Sequence, residues 1–248
     1  MSKLIFIIFS HLTYLFNSEF SLDNDLISIV KGNIGMLVKK TNQDARFFRA
    51  RQFACVKDLQ RWNKLDFTSP KVYEIKDYGR LNKPHEEMIY FCNTSEQTLK
   101  EISYDYKTPV VISVYQAKQD FSCVDITTSN EENNNDEIFL AKLKNAFSQQ
   151  ETPRSNKFTT EIREEFYTIS IDKAQGWVYP TVGKQSKDKF NLAMYPGVAK
   201  RLLEFQGAIV ISKANPNGMK EIEFCFDQDY RLDYIKGYPE LQKIFNLG

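Results

Sequence analysis

The sequence predicts an α+β fold. Strand-like and helix-like segments follow one another without the regular alternation of a doubly wound sheet. No GxGxxG follows a strand and no GxxxxGK(S/T) occurs, which excludes the Rossmann and P-loop architectures. At 248 residues the chain suits one large domain with an appendage, split here into an N-terminal helical extension, residues 1–43, and a domain over residues 44–248.

The elements can be taken in order. The run LIFIIFSHLTYLF after Lys3 predicts a helix over residues 1–20 that is buried or faces a partner. Ser10, His11, Thr13 and Asn17 interrupt it, so it is too short and too broken to span a membrane. From Leu22 to Lys40 a helical period continues, interrupted by Gly32 and Gly35, and TNQDA closes it with a turn. ARFFRARQF alternates and predicts a strand carrying Arg46, Arg49 and Arg51. Val56 to Tyr78 is irregular, with a short strand at VYEI.

Gly79 to Glu101 concentrates the signals. Gly79, Asn82 and Pro84 mark a turn, Met88 to Cys92 a strand, and Asn93 or Ser95 the cap of a helix to about Ile102. Glu96 and Lys100 stand four apart on that helix. Further strands are predicted at Thr108 to Tyr115, Phe121 to Thr127, Gly176 to Pro180, Phe190 to Tyr195, and a hairpin at Ala208 to Ser212 with Glu221 to Phe226. Helices are predicted at Asp136 to Phe147, Phe158 to Phe166, Gly197 to Phe205 after Pro196, and from Gly237. SNEENNND is a polar loop, and residues 148–157 a polar linker.

A net charge of +1 gives no general surface for nucleic acid or membrane, and neither is expected as a partner. The four cysteines form no CxxC, and the two histidines, His11 and His85, stand at no metal-ligand spacing; no metal is expected. Scattered apolar-flanked cysteines fit reduced core residues of a cytoplasmic protein. No Ser-His-Asp set can be assembled, and Glu86-Glu87 reads as a solvated turn pair. Arg80, Tyr90 and Glu101 remain as candidates to converge on one ligand.

RFFRARQF, GRLNKPHEEMIYFCNTSEQTLKE, GWVYPTV and FNLAMYP, in this order, resemble the RES domain family over roughly residues 45–212. That family's pattern is an arginine strand, a GR-N-P turn, a tyrosine in a short strand and a glutamate in the next helix, followed by a Y-S step and an N-L-L strand. Here Thr181 stands where the serine is expected, and His85-Glu86 follows Pro84 where glycine is common.

The resemblance implies an ADP-ribosyltransferase-like fold of mixed β-sheets flanked by helices. It implies a toxin or effector that consumes NAD as substrate by cleaving its nicotinamide–ribose bond, as a glycohydrolase or phosphorylase. The alternatives are an ADP-ribosyltransferase acting on a protein target and a module that binds NAD or ADP-ribose without turnover. An antitoxin or immunity protein is the implied partner, and the apolar N-terminal run allows docking of an antitoxin or assembly of a homo-oligomer. Glu101, Arg80 and Tyr90 become the expected catalytic residues, with Arg49, Thr181, Asn82 and Asn191 binding the dinucleotide. The chemistry is compatible: a carboxylate stabilises an oxocarbenium-like transition state, an arginine forks onto phosphate, and a tyrosine stacks on the nicotinamide. Plainer roles stay open: an Arg80–Glu101 structural ion pair, Tyr90 as strand core, and Thr181 as a turn hydroxyl.

Overall fold

The computed structural model describes residues 38–53, 56–105, 107–126, 146–148, 152–166, 174–182, 188–214, 220–234 and 239–245. Within them the strands are β1 (Val38–Thr41), β2 (Arg46–Gln52), β3 (Ile89–Cys92), β4 (Val110–Ala117), β5 (Phe121–Asp125), β6 (Trp177–Pro180), β7 (Phe190–Met194), β8 (Leu203–Ala214), β9 (Lys220–Phe226) and β10 (Leu232–Tyr234). The helices are α1 (Ser95–Glu101), α2 (Pro153–Phe166), α3 (Pro196–Leu202) and α4 (Pro239–Ile244). The fold is mixed α+β, with few helices around one large mixed sheet of order β1-β5-β6-β7-β3-β2-β4-β8-β9-β10. Every pairing is antiparallel except β5 with β6.

β4 reads VVISVYQA and is buried along nearly its whole length, as a central strand covered on both faces must be. It pairs with β2 over seven positions and with β8 over eight, with an irregularity between Val114 and Tyr115. Gly207 lies opposite Val114 at φ +131°, and a Cβ there would sit 2.7 Å from the Phe226 carbonyl oxygen. Only glycine meets both demands, so the sheet bends there.

Core lies on both faces. Phe47, Phe91, Tyr115 and Phe205 share one cluster; their alternating neighbours Phe48, Ile112 and Val114 belong to another. A third, with Leu81, Phe147, Ile162 and Trp177, packs α2 against β6 and β7. Cys92, Cys123 and Cys225 are buried and unbridged. Among the described residues no helix is long and apolar enough to cross a membrane.

Several expectations need correcting. The helical period read up to Lys40 ends in β1, and these residues pair with β5, so the sheet begins before residue 44. VYEI is not a strand: Val72–Glu74 is a 3₁₀ turn, closed by the Lys71 N–H donating to Glu74 Oε2. The polar linker to residue 157 is partly helix, since α2 starts at Pro153. α3 stops at Leu202 and β8 begins at Leu203 without a loop, so the residues read as helix up to Phe205 are already strand. The cap of α1 is Thr94, which makes no side-chain capping bond. The helix over residues 1–20, the loop at 129–136, nearly all of the helix predicted from Asp136, and Cys55 lie outside the described residues.

Candidate active site

β2 and β3 pair at a single position, Phe48 with Cys92. Beyond it the ladder does not continue, and a cavity of about 500 Å³ occupies the fork. Phe48, Arg49 and Ala50 line it from β2, and Tyr90, Phe91 and Cys92 from β3. Successive strand residues point to opposite faces, so three in a row can line one cavity only if it looks onto the strand edges. The end of α1 closes it with Thr98, Lys100 and Glu101, and Tyr179 of β6, Val182 just beyond it and Asn191 of β7 wall it. Of the seven expected site residues, Arg49, Arg80, Tyr90, Glu101 and Asn191 border this one space.

The turn that carries Arg80 is held rigidly. The Gly79 N–H donates to the Asn82 carbonyl (3.0 Å). Leu81 N–H donates to the Tyr90 hydroxyl (2.9 Å), which donates in turn to Asn82 Oδ1 (2.6 Å). A Cβ on Gly79 would stand 2.1 Å from that Oδ1, so the clamp requires glycine there.

From the other side α2 presents four polar residues at helical spacing, all buried. Asn156 Nδ2 donates to the Tyr78 carbonyl (3.0 Å), and Thr159 Oγ1 to that of Arg80 (2.7 Å). Thr160 Oγ1 donates to the Gly79 carbonyl (3.1 Å), and Arg163 grips the Glu86 carboxylate through two nitrogens (2.7 and 3.0 Å). Glu86 is therefore no solvated turn residue. Burial pushes its carboxyl up, but bonds from Arg163, the Lys83 N–H and Tyr195 outweigh this and hold it below its ordinary value.

Glu101 is the last residue of α1, where a carboxylate opposes the helix dipole. Its Oε1 accepts from Gln97 Nε2 and from the Val182 N–H, both at 2.8 Å. Both bonds fall on one oxygen, so Oε2 is the one available to a ligand. Glu101 does not bond Arg80, and the structural ion pair considered from the sequence is not formed. The neighbouring Cys92 thiol is pushed well above its ordinary value by burial, with the charge of Glu101 adding to the effect, so it stays neutral.

Arg80 is 1% exposed and donates through Nη1 to the Ala146 carbonyl (3.3 Å). Arg49 donates to the carbonyls of Phe67 and Thr68. Burial pulls its guanidinium down to about 10, which leaves it cationic at neutral pH. Among the described residues the cavity thus gathers Arg49, Arg80 and Lys100 against the single carboxylate of Glu101. That balance favours an anion. A second cavity of about 330 Å³ shares Arg49, Gly79 and Tyr90 with the first.

Two expected residues stand apart. Asn82 lines only the second cavity, and its side chain positions Tyr90. Thr181 is buried at the end of β6 and borders neither cavity; its neighbour Val182 reaches Glu101 instead. The Tyr90 ring meets Tyr179 edge-on at 6.4 Å, so it is partly core as well as cavity wall. The sequence reading missed Gln97, Lys100, Tyr179 and the α2 face. Gln97 was legible as a residue one turn before Glu101. Lys100 stands four residues from Glu96, but the two form no ion pair among the described residues. Nothing local marked Tyr179 or the α2 threonines. No family model matches the chain, and no match to a curated protein or a solved structure was found.

Proposed function

We propose that the chain is an NAD-consuming enzyme of the RES type, with an ADP-ribosyltransferase-like fold, that cleaves the nicotinamide–ribose bond. The observation that carries this reading is the convergence of Glu101 from α1, Arg80 from the turn, Arg49 from β2 and Tyr90 from β3 on one cleft. The family's turn pattern adds support: His85, where glycine is common, sits at φ +63°, a conformation glycine reaches at lower cost.

In this reading the pyrophosphate lies against Arg49 and Arg80, and the nicotinamide packs on Tyr90. Glu101 Oε2 accepts from a ribose hydroxyl and stabilises positive charge growing at the anomeric carbon. The C–N bond breaks with its electron pair leaving on the pyridinium nitrogen, giving neutral nicotinamide. Water or phosphate attacks the anomeric carbon. With water the products are ADP-ribose, nicotinamide and a proton; with phosphate, ADP-ribose phosphate and nicotinamide. An antitoxin or immunity protein that restrains this activity, and a homo-oligomeric state, belong to the same proposal, as does action in the cytoplasm.

The test is direct. The protein is incubated with NAD, with and without phosphate, and free nicotinamide is followed. Release in either condition supports the reading, and absence of release in both removes it. NAD labelled on its adenylate separates cleavage from transfer: the label leaves as a small molecule in the first case and stays on a macromolecule in the second.

A further inference from the structure

Asn191 lies in β7 and is 1% exposed. Its Nδ2 donates to the Pro180 carbonyl (3.5 Å), while its Oδ1 is buried and has no donor among the described residues. The reverse orientation of the amide would set Oδ1 against the Pro180 oxygen, so the network fixes which end faces away from β6. The residue borders the cavity in the fork. A buried acceptor without a partner is costly, and a ligand N–H entering the cavity removes that cost.

The surroundings say what kind of N–H. Asn191 pairs across the sheet with Tyr179 on one side and Cys92 on the other, and the Tyr179 ring meets that of Tyr90. This end of the cavity is aromatic and suits a flat ring. Asn191 and Glu101 are also tied to one short segment: Asn191 bonds the carbonyl of Pro180, and Glu101 the N–H of Val182. Two residues of chain span at most about 7 Å. Both residues border the same cavity, so a ring whose substituent donates to Asn191 lies in the space that Glu101 also lines.

We propose that Asn191 reads the carboxamide of the nicotinamide ring through an N–H donated to Oδ1. It thereby admits the amide and rejects the corresponding carboxylate. This rests on the NAD-cleaving reading and adds to it the group that sets ring specificity. A carboxylate in the same place has no hydrogen to give and sets negative charge against a fixed acceptor.

The experiment compares NAD with deamido-NAD, in which the carboxamide is a carboxylic acid, and with nicotinamide hypoxanthine dinucleotide, which lacks the adenine amino group. Direct binding of nicotinamide and nicotinate is measured alongside. The expected result is a kcat/KM for NAD at least about a hundredfold above that for deamido-NAD, because a site built around a hydrogen bond rejects the analogue lacking it. The hypoxanthine analogue is expected to be cleaved about as well as NAD, and Asn191→Leu to bring the ratio below about tenfold. Equal cleavage of NAD and deamido-NAD overturns the inference and leaves NAD cleavage standing. Discrimination against the hypoxanthine analogue alone also overturns it, since adenine would then be the donor. If no dinucleotide is cleaved but nicotinamide binds in preference to nicotinate, the inference stands while the turnover reading falls. If neither ring binds and nothing is cleaved, both fall.

Discussion

Gly79→Ala is the smallest change that tests whether the turn is built around the Asn82–Tyr90 clamp. The new Cβ would lie 2.1 Å from Asn82 Oδ1, 3.0 Å from Asn82 Cγ and 3.1 Å from the Tyr90 hydroxyl. The first distance is far inside contact, and Asn82 is 5% exposed with little room to turn. Its Oδ1 must leave the Tyr90 hydroxyl, and the Leu81 N–H then depends on a phenol no longer held in place. Losing a hydrogen bond so that a buried group is stranded costs about 1–3 kcal/mol. The lost freedom of the unfolded chain returns about 0.4–1 kcal/mol. A net destabilisation of about 1–2 kcal/mol is expected, read as a lower urea midpoint at unchanged m. In the enzyme reading, a Tyr90 ring displaced by about 1 Å also lowers kcat/KM by up to about a hundredfold.

The control is Asn82→Ala. It removes the two closest atoms and frees the Tyr90 hydroxyl to give at the third, so Gly79→Ala added to it should cost far less than in the intact protein and approach the ordinary gain of about 0.4–1 kcal/mol. Gly79→Ala that stabilises the otherwise intact protein, or two changes that simply add, would refute the clamp.

Glu101→Gln keeps the shape that accepts from Gln97 and Val182 and removes the charge; kcat for NAD should fall about 10²–10³-fold while stability rises by about 0.3–1 kcal/mol, because the carboxylate opposes the α1 dipole. Unaltered nicotinamide release would take Glu101 out of the mechanism. Glu86 sets an acid limit: its folded value is depressed below the ordinary 4.5, so its contribution is complete above that pH and is lost as pH falls through the folded value. Stability of the unaltered protein should therefore fall more steeply below about pH 4.5 than that of Glu86→Gln, and parallel urea midpoints across that range would contradict the Arg163 grip.

What could be read in the sequence was local. Arg80, Tyr90 and Glu101 fall within one turn–strand–helix stretch, and Gly79, Asn82 and the spacing to Glu101 are visible without a partner. Strands with strong β composition, such as β4 and β7, were equally legible. The cleft itself was not, because it arises from β2 and β3 parting after one pair, a relation between strands about forty residues apart in sequence. The α2 face was hidden for a different reason. Asn156, Thr159, Thr160 and Arg163 have helical spacing, but a polar face is ordinarily read as the solvated one. Here its partner is the polar backbone of a turn, so it is buried for the same reason an apolar face would be: its groups are satisfied there.

This division of labour bears on where a ligand acts. The carbonyls of Tyr78, Gly79 and Arg80 and the N–H groups of Gly79 and Leu81 all have partners within the protein. These backbone groups have nothing left to offer a ligand. On the opposite wall the balance is reversed: Asn191 Oδ1 has no donor, and Glu101 commits a single oxygen. A cleft with the backbone of its turn paired on one wall and unspent acceptors on the other is asymmetric in what it asks of a ligand. Anionic groups belong beside Arg49 and Arg80, and hydrogen-bond donors belong between Asn191 and Glu101. In the proposed reading, a dinucleotide with its pyrophosphate at one end of the cleft and its carboxamide and ribose hydroxyls at the other answers both requirements at once.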